Sequence, residues 1–412
     1  MKKSPRYRVI RFLLENSIFL IVGAAVGLIW ANVDHESYEF IKETPAFQIN
    51  HVSISLHFLI NDIAMAFFFL LAGKEIREAM LPKGALSNVR TAALPIMATL
   101  GGMAGPAIIY FSGTLLFNAP ELTRGWAIPM ATDIAFSYLI ARMAFPQIGG
   151  KGHPAIVFLL LLAIADDAGG LIVLASFYPQ EVHNFLPFLY DVNPLLVFVV
   201  GVGTAIALCL FLWKKLKVSN FWLYLIGPGI ISWLAFNEGG IHPALALVPL
   251  AWCMPHEHSD IGIWAVGESE GKDTLNRMEN WWKNPVELIL GLFGFVNAGV
   301  EFSALGLGTG LVFFGLLFGK PIGIFLLTKI GQAFGLRLPK GMNTIDLVVV
   351  GIAAGIGFTV ALFVSVVAFP LGALQDSVKM GALFSFMVAP ITIIAALILG
   401  IRRRSEQSTA KK

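Results

Sequence analysis

Long apolar stretches alternate with short polar segments along almost the whole chain. A helix needs ~20 predominantly apolar residues to cross the hydrocarbon core of a bilayer. Twelve stretches meet or approach that length, centred on 12–32, 57–80, 93–117, 124–143, 154–177, 194–213, 219–236, 240–253, 284–300, 308–330, 344–369 and 377–400. The eighth is short. The pattern predicts an all-α integral membrane protein of about twelve transmembrane helices, with residues 1–412 forming one polytopic domain.

The polar segments orient it. Loops on the cytoplasmic side carry the excess of Lys and Arg. With both termini inside, the inner segments collect 25 of the 29 basic residues, and the outer loops keep only Lys42, Arg124 and Lys379. The remaining one, Lys320, falls within a span. The acids Asp34, Glu36, Glu39, Glu43, Glu121, Glu181, Asp191, Glu238, Glu301 and Asp376 all face outward in this arrangement. It gives a cytoplasmic N-terminus (1–11), a cytoplasmic loop (254–284) and a cytoplasmic tail (401–412). The basic start, Met1 to Arg8, looks like the first part of a signal peptide, but the apolar run behind it carries Glu15 and lacks a clear cleavage site, so it reads as a retained first span.

Composition agrees. The chain is 57% hydrophobic and 13% charged, against roughly 25% charged in soluble domains, which excludes a water-soluble globule. Cys209 and Cys253 both lie in apolar stretches and encode no disulfide framework.

Against this background the ionisable residues away from span ends stand out: Asp62, Asp133, Asp166, Asp167 and Lys320. A charge at the bilayer centre costs ~2.5–3.5 kcal/mol even on the lenient insertion scale, so intramembrane charges mark ion or proton paths. Salt bridging alone does not account for the set, because one lysine cannot neutralise four carboxylates. Asp166 and Asp167 point ~100° apart on a helix, so they cannot address one spot equally. One is free to line a cavity while the other turns to a cation, for which Lys320 is available. Such carboxylates suit an exchange of protons for a hard cation.

Two spans look breakable. Pro129 interrupts the fourth, where Thr132-Asp133 would cap a second half-helix. Gly351, Gly355 and Gly357 weaken the eleventh. Kinks or close packing would also explain either break. Together, interrupted segments at corresponding positions of two halves point to a transport site built from inverted-topology repeats, here spans three to five and ten to twelve, with a broken, crossing helix central in each. In such an arrangement Asp133 offsets the positive ends of the half-helices and Lys320 the negative ones.

Over roughly residues 10 to 400 the chain resembles the NhaA-type sodium/proton antiporters. The resemblance is carried by Ile60-Asn61-Asp62 running to Leu71, Gly125-Trp126-Ala127-Ile128-Pro129 to Phe136, Ala165-Asp166-Asp167, Phe295-Val296-Asn297-Ala298-Gly299-Val300, Gly319-Lys320-Pro321-Ile322-Gly323, and Gly355-Ile356-Gly357-Phe358-Thr359, in that order. It implies that Asp167 is the main ion and proton carboxylate, that Asp166 pairs with Lys320, and that Thr132 and Asp133 belong to the broken helix beside them. Asp62 matches an acid near the same pathway, and His242 a histidine associated with pH response. The chain departs from the family at Gly73-Lys74-Glu75-Ile76-Arg77-Glu78 and Met278-Glu279-Asn280. There Glu75 and Glu279 are candidates for a pH-sensing network, joined by His256 and His258 in the 254–284 loop. The plainer reading of that loop is a solvated connector.

What the resemblance implies is secondary antiport in a bacterial inner membrane: external protons drive internal Na⁺, or Li⁺, outward by alternating access. With two acids the exchange of two protons per sodium is plausible and electrogenic. Asp166 and Asp167 would hold the Na⁺, and neither an enzyme activity nor a cofactor nor nucleic acid is implied. A homodimer through the outer loop 33–56, which has the makings of a short hairpin, fits the family. Two rivals remain. A cation-coupled organic-anion cotransporter would want a cationic pocket, whereas this site is net acidic, and an intramembrane aspartyl protease would want a Gly-x-Gly-Asp motif that Asp133 and Asp167 lack.

Overall fold

A computed structural model describes residues 17–49, 52–82, 84, 86–87, 89–146, 152–180, 182, 185–189, 191–256 and 273–401. His258, most of the 254–284 loop and both expected cytoplasmic ends lie outside these.

The regular elements among the described residues are helices apart from one hairpin. In chain order they form α1 (Ile18–Val33), α2 (His35–Glu43), the antiparallel pair β1 (Phe47–Ile49) and β2 (Val52–Ile54), α3 (Leu56–Met80), α4 (Val89–Leu116), a 3₁₀ segment (Pro120–Ala127), α5 (Ile134–Ala144), α6 (Pro154–Phe177) and α7 (Pro194–Lys214). Next come α8 (221–238), α9 (Val248–Cys253), α10 (Thr274–Ala298), α11 (Leu307–Ala333), α12 (Thr344–Ala354), α13 (Phe358–Ala368) and α14 (Ala373–Ile398). The twelve apolar stretches each correspond to one helix or interrupted helix. Six helices are long and apolar enough to cross a membrane singly, and α12 with α13 forms a pair bent by 47°.

Two boundaries differ from the sequence expectation. The ninth span begins at Thr274 rather than 284, because Asp273 accepts from the Asn276 amide and starts the helix inside what reads as a polar loop. The fourth span does not begin as an α-helix. Pro120 opens a 3₁₀ segment, the chain then runs without helix through Met130 to Thr132, and only the second half is α-helical.

The chain divides into two compact units, one of residues 1–84 and 171–299, the other of 85–170 and 300–412. In the first, α1 lies along α10 and α3 along α9. The Tyr38 hydroxyl reaches the carbonyl oxygens of Phe295 and Val296 at 2.8 and 2.7 Å, near the end of α10. Asn61 and Asn297 exchange side-chain amide bonds of 3.2 and 2.8 Å in both directions, so two buried polar side chains join α3 to α10.

In the second unit α4 and α11 pack backbone to backbone. A Cβ at Gly323 would lie 2.0 Å from the Gly101 carbonyl oxygen, so only glycine permits this approach. The apolar core beside it includes Leu94, Phe145, Phe158, Leu162, Ile324 and Val350.

Three of the long helices carry a π turn: Leu59–Ala64 in α3, Leu225–Gly229 in α8 and Gly315–Gly319 in α11. Each adds a residue to one turn and re-aims the helix beyond it. The first contains Asp62 and the third ends immediately before Lys320.

Candidate ion-binding site

The site lies within the second unit, where the two interruptions meet. The Asp133 amide donates to the Ile356 carbonyl at 2.7 Å, a main-chain bond from one break to the other. The Asp133 side chain then caps two helices at once. Its Oδ1 accepts from the Phe136 amide at 3.2 Å, at the start of α5. Its Oδ2 accepts from the Thr359 amide at 3.2 Å and the Thr359 hydroxyl at 2.6 Å, at the start of α13. One carboxylate therefore faces the positive ends of both half-helices. Ser137 strengthens the same contact by donating to the Ala353 carbonyl at 2.9 Å. Gly357 fits because a Cβ there would come within 2.9 Å of the Ala131 carbonyl oxygen, and Gly355 because a Cβ would lie 2.6 Å from that of Leu316.

Beside the breaks, α6 contributes Asp166. Both Asp166 and Lys320 are completely buried. The ammonium of Lys320 donates to Asp166 Oδ2 at 2.8 Å and also to the Met130 carbonyl in the fourth-span break. The Thr132 hydroxyl donates to the same Oδ2 at 2.8 Å, with the Ala354 carbonyl 3.1 Å away. The other oxygen, Asp166 Oδ1, is buried with no hydrogen-bond partner among the described residues. Asp167, one position on, is partly exposed. The two acids thus have separate surroundings: Asp166 is committed to Lys320 and Thr132, and Asp167 is the more accessible. Among the described residues no cluster of three His, Cys, Asp or Glu side chains forms a metal site.

The remaining candidates lie in the first unit. His242 Nε2 is 3.9 Å from Asp62 Oδ1, while its Nδ1 accepts from the Ala244 amide at 3.2 Å. Accepting at Nδ1 puts the ring hydrogen of neutral His242 on Nε2, toward Asp62. The Asp62 carbonyl, in its π turn, accepts from the Trp233 indole at 2.8 Å.

A second cluster joins α3 to the polar start of α10. Lys74 Nζ lies 2.6 Å from Glu78 Oε2 and 2.7 Å from Glu279 Oε2. His256 stands 3.4 Å from both Glu78 Oε1 and Asp273 Oδ2. Of the predicted sensing residues this brings together Glu279 and His256. Glu75 is buried on the same helix as Lys74 and Glu78.

Residues that sequence reasoning did not assign are Thr359, Ser137, Lys74, Glu78, Asp273 and the Asn61–Asn297 pair. The signal was present for some of them. Thr359 ends the glycine-rich break, and Asn61 and Asn297 are uncharged polar residues in apolar spans.

The family description "Na+/H+ antiporter 1" matches residues 8–399. The chain belongs to that family. Members of this antiporter family similar to it include NhaA proteins from Jannaschia sp. (strain CCS1), 45% identical over 97% of this chain and 99% of that protein, and from Geotalea uraniireducens, 43% identical with the same coverage. The NhaA of Geobacter sulfurreducens is 41% identical over 96% of this chain and 98% of its own length. Among solved structures, the sodium proton antiporter MjNhaP1 from Methanocaldococcus jannaschii superposes with a TM-score of 0.52, covering 93% of this chain and 92% of that one at 12% identity. That likeness is one of fold. As a member of the antiporter family the chain is a multi-pass membrane protein, helical apart from the β1–β2 hairpin and built around interrupted spans.

Proposed function

We propose that this chain is a secondary antiporter that exchanges external protons for internal Na⁺ or Li⁺. The observation that carries the proposal is the separation of the two acids. Asp166 is held by Lys320 and Thr132, while Asp167, the next residue of the same helix, is partly exposed. Asp167 binds either a proton or the hard cation, whose preferred ligands are oxygen atoms. When the cation arrives Asp167 gives up one proton and the Asp166–Lys320 pair gives up a second, so that two protons exchange for one Na⁺. Each net charge moved is worth ~2.3 kcal/mol per 100 mV, enough to expel Na⁺ against a gradient.

Na⁺ and protons are cargo in this reading, and no resident cofactor or enzymatic step is invoked. The site opens to each side of a bacterial inner membrane in turn, with both termini in the cytoplasm. The Lys74, Glu78, Glu279, His256 and Asp273 cluster supports pH regulation. Glu279 pairs with Lys74 only as a carboxylate, so protonating it would loosen the cluster. Asp62 forms an accessory polar step, His242 beside it is a pH-responsive residue, and a homodimer joins through the hairpin of β1 and β2.

In everted membrane vesicles, Na⁺ addition releases lumenal protons. Asp167→Asn, inserted normally in the membrane, abolishes that release. An Asp167→Asn protein that retains Na⁺-induced proton release overturns the assignment.

A further inference from the structure

Thr99 puts a buried hydroxyl into an otherwise apolar stretch of α4, between Ala98 and Leu100. A threonine in a helix usually satisfies its hydroxyl on its own chain, at the carbonyl four residues back, and here the Pro95 carbonyl is 3.0 Å away. A second acceptor comes from another helix. The Leu162 carbonyl of α6 lies 3.1 Å from the same hydroxyl, so one proton is shared between α4 and its neighbour.

Leu162 stands one turn before Asp166. Because α6 is a continuous α-helix over Pro154–Phe177, the Leu162 carbonyl is also the helical acceptor for the Asp166 amide. A carbonyl oxygen has two lone pairs and can take both donors. The Thr99 hydroxyl therefore grips the backbone of the turn that presents the acid.

The same face of α4 reaches the rest of the site. Gly102 and Met103 follow Thr99 at i+3 and i+4 and lie beside it on the helix. A Cβ at Gly102 would lie 3.1 Å from Cγ1 of Ile324 and 3.8 Å from Cε of Lys320, so α4 runs along the stem of the lysine here. The Met103 thioether fills the space at Gly169, where a Cβ would come within 2.6 Å of its sulfur. Thus α4 braces α6 on either side of Asp166, at Leu162 and Gly169, and braces α11 at Lys320.

We propose that Thr99 is a positioning residue of the ion site, an inference that deepens the antiport reading and rests on it. Its bond to the Leu162 carbonyl sets the register of α6 against α4. That register holds Asp166 at the Lys320 ammonium and, on the same turn, Asp167 at the cation. Without the hydroxyl the Leu162 carbonyl keeps its helical bond, so α6 stays folded. What is lost is the tie between helices, and both acids then shift together relative to Lys320 and Thr132.

The test compares two replacements in everted vesicles. Valine keeps the shape of Thr99 and loses the hydroxyl, whereas serine keeps the hydroxyl and loses the methyl. Thr99→Val should raise the Na⁺ concentration for half-maximal proton release by roughly three- to tenfold, the weight of one interhelical hydrogen bond, at an unchanged maximal rate. Thr99→Ser should match the wild type in both. A packing role predicts the opposite order, with serine the worse, and a loss of folded protein lowers the maximal rate at an unchanged half-maximal concentration; either result would overturn the proposal. A second measurement does not depend on transport. The shift in thermal unfolding midpoint caused by Thr99→Val is measured in the wild-type chain and in the chain carrying Lys320→Met with Asp166→Asn. A hydroxyl that acts on the pair gives a clearly smaller shift once the pair is gone, and equal shifts in the two backgrounds would overturn the positioning role. If the wild type itself releases no protons on Na⁺ addition, the antiport reading fails and this cycle decides the role of Thr99. Should Thr99→Val not fold, Thr99→Ala, which also lacks the hydroxyl, takes its place in both arms.

Discussion

Replacing Lys320 with methionine removes the cation that holds a fully buried carboxylate. Asp166 Oδ2 would keep the Thr132 hydroxyl, and Oδ1 already has no hydrogen-bond partner among the described residues, so little remains to hold the charge. Breaking a buried pair by removing one partner costs about 3–5 kcal/mol, because an uncompensated charge is left behind. Asp166→Asn alone strands the ammonium of Lys320, which retains the Met130 carbonyl, and should cost a similar amount. The double variant, Lys320→Met with Asp166→Asn, removes both charges. What it still loses is the donor to the Met130 carbonyl, about 1 kcal/mol, and some packing. It should therefore unfold within about 2 kcal/mol of the wild type, although each single change costs more. Equilibrium unfolding of all four proteins in mixed micelles, followed by tryptophan fluorescence, closes the double-mutant cycle. A double variant as unstable as the two losses added together would refute the reasoning, since it would mean that the pair is not coupled.

The geometry sets three further outcomes. Thr359→Val should cost about 1–2 kcal/mol in the same assay, by removing the 2.6 Å hydroxyl bond to Asp133; a change under about 0.3 kcal/mol would contradict the double-capping role. His153 caps α6 through Nδ1, which accepts from the Ala155 amide at 3.2 Å, and burial lowers its pKa from the ordinary value although Asp346 opposes the shift. The capped form is the neutral one. Its contribution of about 1 kcal/mol is complete above the unfolded value of about 6.5 and is lost as the pH falls below it. Wild-type stability should thus drop more steeply between about pH 7 and 5 than that of His153→Asn, whose cap does not titrate, and parallel curves would exclude His153 as the cause. Gly323→Ala should sharply reduce folded yield, measured by size-exclusion chromatography, because its Cβ meets the Gly101 carbonyl at 2.0 Å; Gly203→Ala, with nothing within 4 Å, should be tolerated.

The apolar pattern located the spans well because membrane solvation constrains them so strongly. Apolar length is required wherever a helix crosses lipid. It located α10 poorly because Thr274 to Asn284 is polar, and such a segment reads as a loop until its cap is recognised. Asp273 is an ordinary aspartate in sequence, and its bond to Asn276 is local but silent in composition. The acid pair was legible as a cost, since Asp166 and Asp167 interrupt an apolar helix. Which of them pairs with Lys320 followed from the family resemblance and not from the residues alone, because 154 positions separate the partners. Thr359 shows the same limit. Its neighbours marked a break, but its role depends on Asp133, a still more distant partner, 226 positions away.

One fastening in this protein is written in no side chain. The bond from the Asp133 amide to the Ile356 carbonyl uses atoms that almost every residue possesses, and only proline at 133 would delete its donor. Side chains around the junction can therefore change, altering affinity or cation preference, while the two segments stay joined at the same place. The scaffold and the chemistry it presents are separately adjustable, which gives mutation a way to retune the site without first rebuilding it.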